Sequence, residues 1–299
     1  YSITGSMSLV YLYMSAVEYQ KLIVIGFLLS LAVKIPMFPV HLWLPQAHVE
    51  APVAGSVLLA GILLKLGGYG FIRFMIPVFP EGSKFVTPLV ITFSIIAVIY
   101  AGVLTVKQTD FKRLVAYSSV SHMGLVTIGI FSFSIEGFLA STLIMFAHGV
   151  VSSGLFIAVN CLYERSHSRI IRVYKGIATI SPLFSILFFL LTLANISAPG
   201  SLNFWGELLS FSSFYCNTGN IFLTVIILTS VVISTAYSIN LFTSVFWGNN
   251  SVMNFTLREI NKKEFIVLLI LSLSSWVIGV YPNYISGKLL LNFFNILIF

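Results

Sequence analysis

Apolar residues run through this chain in stretches of about 20 or more, the span of one helix across a bilayer core, with short polar loops between them. The stretches predict helices near 22–40, 53–76, 86–106, 114–131, 137–163, 180–215, 221–247 and 265–281, here called spans A to H. Ile285 to Phe299 is expected to add a ninth, interfacial helix. Because the loops are short, 1–299 is expected to form one membrane domain without a linker.

Two spans break the pattern. Span F is too long for one straight crossing and carries Asn195-Ile196-Ser197-Ala198-Pro199-Gly200 in its middle. Proline removes an amide donor and clashes with the preceding turn, and glycine relaxes the backbone, so F is expected to be two half-helices joined by unwound chain. Span A is interrupted in the same way at Val33-Lys34-Ile35-Pro36-Met37-Phe38-Pro39. Broken helices at corresponding places point to inverted repeats and a midplane ion site. The breaks are five helices apart, an odd number, so successive copies would insert upside down. On this reading 1–80 ends a first, incomplete repeat, 81–250 is a complete second repeat, and 251–299 holds C-terminal helices. Two unrelated proline kinks remain the alternative.

Composition settles the class. Of 299 residues, 58% are hydrophobic and only 8% charged, against roughly 25% charged in soluble domains, and mean hydropathy is +1.01. A soluble enzyme, a nucleic-acid binder and an extended disordered region are excluded. The fold class is an all-α polytopic membrane protein of about eight transmembrane helices, two of them broken. The net charge of +7 reflects loop asymmetry. Loops C–D, E–F and G–H carry ten Lys and Arg residues, from Lys107 to Lys263, while Lys21, Arg73, Lys84 and Lys288 lie opposite. The richer side is expected to face the cytoplasm or the mitochondrial matrix.

Other signals are weaker. Cys161 and Cys216 are isolated, so no zinc or iron–sulfur spacing exists. Gly67-Gly68-Tyr69-Gly70 lies inside an apolar helix and reads as close packing, not a nucleotide loop. The chain does not begin with Met, and Tyr1 to Ser8 resemble neither a signal nor a transit peptide, so the start is expected to be processed or truncated. Abundant Phe, with many Ile, Asn and Tyr, suits an AT-rich organelle genome.

Candidate chemistry lies in the few charges left inside the spans. Lys34, Lys65 and Glu207 would each cost roughly 2.5–3.5 kcal/mol unpaired at the bilayer centre. Lys34 precedes the break in A, Lys65 is mid-span in B, and Glu207 follows the break in F. Each could be a structural ion pair or a snorkelled end. The functional alternative is a proton relay. Desolvation disfavours the charged form of either residue type and an opposing charge restores it, so moving one charge would switch a site between holding and releasing a proton.

His122 in span D, within the hydroxyl-rich stretch Tyr117-Ser118-Ser119-Val120-Ser121-His122, and His148 in span E suit a shuttle, or simply bond neighbouring helices. The hydroxyls are expected to hold water within the membrane. His41, His48 and Glu50 cluster at the A–B turn, where a turn-stabilising network is favoured over a proton inlet, and metal binding is disfavoured. A haem held by His122 and His148 is a remote alternative.

Longer motifs then become recognisable. Val33-Lys34-Ile35-Pro36 through His41-Leu42-Trp43-Leu44-Pro45, Ala47-His48-Val49-Glu50-Ala51-Pro52-Val53-Ala54-Gly55-Ser56, Ala60-Gly61-Ile62-Leu63-Leu64-Lys65, Gln108-Thr109-Asp110-Phe111-Lys112-Arg113 through Met123-Gly124, and Leu162-Tyr163-Glu164-Arg165 closely resemble the antiporter-like membrane subunits of mitochondrial NADH:ubiquinone oxidoreductase, respiratory complex I. The resemblance covers essentially the whole chain and is closer than that to bacterial cation antiporter subunits, which share the fold.

The resemblance implies a proton-translocating subunit of the complex I membrane arm, in the mitochondrial inner membrane, with inverted five-helix repeats. It implies that Lys34 is half of a Lys–Glu pair, that Lys65 is the central relay, and that Glu207 faces the exit-side half-channel. His122 and His148 would connect Lys65 to Glu207 through water. No cofactor would be bound by this chain; NADH, FMN, iron–sulfur clusters and ubiquinone would act elsewhere in the complex. Partners would be other membrane-arm subunits and the lipid bilayer, with no nucleic acid. The family has six further helices before span A, one carrying the glutamate that would meet Lys34; Glu18 precedes the span and cannot replace it. The expectation is therefore a separate chain supplying the N-terminal half, or that the present chain is a fragment. A stand-alone cation/proton antiporter and a purely structural membrane piece are the rival classes.

Overall fold

A computed structural model describes residues 20–248, 259–282 and Gly287. Tyr1 to Ser8, Glu18, Arg258, Lys288 and, apart from Gly287, the tail helix expected over Ile285 to Phe299 lie outside the described residues. The described elements are helices, and the β contact among them is one isolated antiparallel bridge between Asp110 and Ile170. Span A is α1 (Gln20–Lys34) and α2 (Trp43–Glu50). Span B is α3 (Val53–Val78), C is α4 (Pro80–Val106), D is α5 (Phe111–Ile130) and E is α6 (Ile135–Ser166). A single turn, α7 (Ile177–Ile180), precedes α8 (Pro182–Asn195) and α9 (Leu202–Thr218), the halves of F. Spans G and H are α10 (Ile221–Phe246) and α11 (Lys262–Val280).

Five of these helices, α3, α4, α6, α10 and α11, are long and apolar enough to cross a membrane by themselves. The others depart from that standard for physical reasons. The segments α1, α8 and α9 belong to broken crossings. Helix α5 is long enough, but it carries Lys112, Arg113, His122 and five hydroxyl residues because it is buried in protein along nearly its whole length. Most of α6 is buried too, so α5 and α6 form the centre of the bundle and the more exposed α4, α10 and α11 surround them.

The A–B turn expected from sequence is largely helix. Residues 43–50 form α2, in which Pro45 sits in the first turn, where amides have no intrahelical partner to lose. The C-terminal carbonyls of α2 are capped by cations: Lys112 donates to Ala51 O at 2.8 Å and Arg169 to Val49 O at 2.8 Å, placing positive charge where the helix dipole is negative.

Both breaks are closed by the same device. In A, the Trp43 indole in the first turn of the second half donates to Val33 O in the last turn of the first, at 3.2 Å. In F, the Asn203 amide donates to Ala194 O at 2.8 Å, again from first turn to last. The unwound chain of F carries Ser197 and Gly200 at φ 63° and 93°, a left-handed conformation that costs glycine least. Helix α11 clamps this break. Trp205 donates to Gly279 O at 2.9 Å and Trp276 to Leu190 O at 3.2 Å. A Cβ at Gly279 would come within 2.6 Å of the Leu202 amide nitrogen, and backbone cannot rotate away as a side chain can. Gly279→Ala is therefore expected to destabilise the chain by about 1–3 kcal/mol, read as a lower Tm of the purified protein; an unchanged Tm counts against the clamp.

The loops assigned to one side do meet. Phe111 N donates to Arg169 O at 3.1 Å, Ile171 N to Thr109 O at 2.9 Å and Gly176 N to Trp247 O at 3.3 Å. Arg165 pairs with Glu264 at 2.5 Å. Loops C–D, E–F and G–H thus form one basic face. The glycines of α3 serve close packing as read from sequence: Gly67 abuts Ile35 at the break in A, Gly68 abuts Met145, and Gly70 abuts Leu31.

Candidate functional site

The midpoints of α3, α5, α6 and α9 converge. Helices α3 and α6 approach closely at two glycines, where a Cβ on Gly149 would lie 3.1 Å from Gly61 O. Just before Lys65, α3 widens into a π-helical turn, Leu59–Leu63, a bulge that redirects the following side chains. Lys65 Nζ donates to Ala60 O inside this bulge and to His148 Nδ1 at 3.0 Å. The His148 ring lies 5.4 Å from the His122 ring, centroid to centroid. His122 Nδ1 in turn faces Glu207 Oε1 at 3.2 Å, with both side chains almost fully buried.

Lys65, His148, His122 and Glu207 therefore form one line from α3 through α6 and α5 to α9. Its links are direct at both ends. The middle step lacks a hydrogen bond: His122 Nε2 is buried without a partner, and the two imidazoles meet as neighbouring rings. Rings 5.4 Å apart leave no room for a porphyrin between them, which removes the haem alternative.

Lys34 is not part of this line. It lies at the exposed end of α1, its Cβ against Gly67, and no acidic group among the described residues is in ion-pair contact with it. Lys65 also reaches an apolar groove of about 630 Å³ lined by Leu58, Ile62, Tyr69, Met145 and Phe146.

The His41, His48 and Glu50 cluster separates. Glu50 is exposed. His41 is buried between Phe38 and Tyr100, and His48 stacks on Phe156 at 4.5 Å. The His48 ring makes no hydrogen bond and His41 makes a polar interaction only with the backbone at Pro39, while Lys112 and Arg169 fasten the end of α2. His48 is close enough to Lys65, His148 and Lys112 for their charges to act on it. The expected hydroxyl reservoir around His122 also differs. Ser118 and Ser119 donate back to carbonyls of α5, and Ser121 donates to Val98 O at 3.1 Å, so their protons are engaged with backbone and only their lone pairs remain for water.

Sequence reading passed over Tyr237. This side chain of α10 is 2% exposed and interacts with Asn195, Ser118, Ser238 and the Glu207 charge. The available signal was Ser234, Tyr237 and Ser238, three polar residues at helical spacing in mid-span G.

Comparison with known proteins identifies the family. Residues 1–234 match the family model described as "NADH:quinone oxidoreductase/Mrp antiporter, TM". The chain is 50% identical over 266 residues to NADH-ubiquinone oxidoreductase chain 4 of Metridium senile, covering 89% of this chain and 54% of that one. It spans about half the length of the curated relatives it matches. Among solved structures, respiratory complex I from Thermus thermophilus with bound NADH contains a chain of TM-score 0.88 and 32% identity, with 96% of this chain and 61% of that one covered. The Mrp complex from a Dietzia species shares the fold at TM-score 0.83 and 18% identity, covering 91% of this chain and 59% of that one. The chain is a multi-pass membrane protein that belongs to the NADH:quinone oxidoreductase/Mrp antiporter family.

Proposed function

We propose that this chain is a proton-translocating subunit of the membrane arm of respiratory complex I, in the mitochondrial inner membrane. NADH to ubiquinone electron transfer in other subunits drives it, and it carries no redox group of its own. The contiguous line Lys65–His148–His122–Glu207 supports the reading. A lysine ammonium can pass a proton to the His148 Nδ1 lone pair, and the imidazole can release its other proton to His122, whose ring lies next to it. His122 can then deliver a proton from Nδ1 to the Glu207 carboxylate. Lys65 is then neutral, Glu207 protonated and both imidazoles in the opposite tautomer, so the line resets when Lys65 takes up a proton, Glu207 releases one and each imidazole returns its ring proton to the other nitrogen. The shared first-turn-to-last-turn bridges at the two breaks support reading 81–250 as one complete repeat and 1–80 as the end of another. His48, beside Lys65 on the half-helix leading to the basic face, is placed to serve as an inlet.

The test is His148→Gln in the assembled complex. The amide still accepts from Lys65 but cannot carry a proton. This chain's share of NADH-driven proton translocation is expected to fall at least about 10-fold. NADH oxidation by a water-soluble artificial acceptor, which bypasses the membrane arm, is expected to stay constant. Translocation at the wild-type rate would overturn the reading.

Lys34 belongs to the other half of the proposal. Its exposure at the break supports a carboxylate supplied from outside the described residues. In a structure of the assembled complex, a carboxylate oxygen is expected within about 4 Å of Lys34 Nζ; a Lys34 facing only lipid would refute this part.

A further inference from the structure

Where the C-terminal ends of α4 and α10 reach the basic face, a cavity of about 420 Å³ opens between the C–D loop, the E–F loop and α10. That is many times the ~30 Å³ share of one water, room for a phosphate and the glycerol that carries it. Lys107 and Arg172 line it from the two loops, Thr109 and Asn240 add polar groups, and buried Tyr237 lines it from within. No carboxylate is in the lining. Neither cation forms an ion pair among the described residues, and Asp110, the acidic residue nearest Lys107 in sequence, is taken by Arg113 at 3.5 Å. Two like charges from different loops facing one cavity repel each other, and an anion between them relieves that cost.

The same cavity borders the bilayer. On α4, Val106 lines it and Val103, one turn deeper, is exposed; on α10, Ala236 and Val232, one and two turns deeper than Asn240, are exposed as well. Trp247, just past the end of α10, is 65% exposed, an indole of the kind that sits at headgroup depth. A free anion would use the cations and leave the apolar strip bare. An anionic lipid uses both.

We propose that this cavity binds an anionic diacyl phospholipid, its phosphate between Lys107 and Arg172 and its chains along Val103 and Val232. Basic pockets between helices on the positively charged side attract such headgroups. Arg172 offers phosphate oxygens a planar fork of N–H donors, and Lys107 a compact point charge. The C–D and E–F loops are already tied by Ile171 N donating to Thr109 O at 2.9 Å. The bound headgroup joins both loops to the end of α10 and braces the basic face. The site is separate from the Lys65–Glu207 line and holds whether or not that line carries protons.

The test is photolabelling of the assembled complex with phosphatidylglycerol and with phosphatidylcholine, each carrying a diazirine on one acyl chain, followed by peptide mapping. The glycerol lipid is expected to label the segments around Val103 and Val232 at least about 5-fold more than the choline lipid. Lys107→Gln with Arg172→Gln is expected to cut that labelling about 10-fold, whereas Lys107→Arg with Arg172→Lys retains most of it. Equal labelling by the two lipids, or undiminished labelling in the glutamine pair, would overturn the site. Competition by inorganic phosphate beyond that of chloride at equal ionic strength would mean that the cations hold a free anion, and no labelling at all would mean that a protein neighbour covers the face; either result refutes the lipid. If the glutamine pair does not assemble, the comparison of the two lipids on the native complex decides alone.

Discussion

Lys65→Ala is expected to lower this chain's share of NADH-driven proton translocation by about 100-fold or more, while artificial-acceptor activity and assembly hold. The Lys65 ammonium bonds both the Ala60 carbonyl and the His148 imidazole. Alanine deletes the group that reaches His148, and the cut end faces a mainly apolar groove with no other charged residue in its lining. Lys65→Arg makes the prediction specific. Arginine keeps the charge and the hydrogen-bonding reach but stays protonated under all ordinary conditions. A relay therefore fails with arginine as it does with alanine, whereas a structural cation would be rescued. Near-normal translocation in Lys65→Arg would mean that Lys65 supplies charge and no proton.

Glu207→Gln carries the second large effect. The amide oxygen still accepts the His122 Nδ1 proton across the same 3.2 Å contact, so the helix packing around Gly206, whose Cβ position lies 3.0 Å from Ile144 N, is undisturbed. What is lost is the ability to bind and release a proton. A loss of about 100-fold in this chain's translocation is expected, with Tm changed little. Glu207→Asp retains the carboxylate on a shorter stem and is expected to fall between glutamine and the native residue. If glutamine translocates as well as glutamate, the line does not end at Glu207.

Much of this was legible in the sequence because the bilayer imposes length and polarity together. Runs of apolar residues placed the helices within a few residues, and mid-span charges stand out where unpaired ones are costly. Proline and glycine in span F located its break. Lys65, His122, His148 and Glu207 could be nominated one by one, but their order in space could not, because it depends on close approach at Gly61 and Gly149 and on a π-helical turn that no local propensity announces. The half-helix α2 was read as a turn, since Pro45 is a breaker in mid-helix and harmless only in a first turn. The hydroxyls near His122 could not be told from a water site, because whether a serine bonds its own helix is settled by rotamer. Tyr237 was hidden by composition: a tyrosine in an apolar span reads as packing until the cavity beside it is seen.

The central claim is that the four residues act as one line. It is tested most directly by the rate of NADH-driven proton translocation per assembled enzyme in Lys65→Ala, Glu207→Ala and the double variant. Groups acting as a unit are non-additive, so one broken link stops the whole line, and the account predicts the same residual rate in all three. A double variant whose loss equals the two single losses compounded, or a single variant at the wild-type rate, would contradict it.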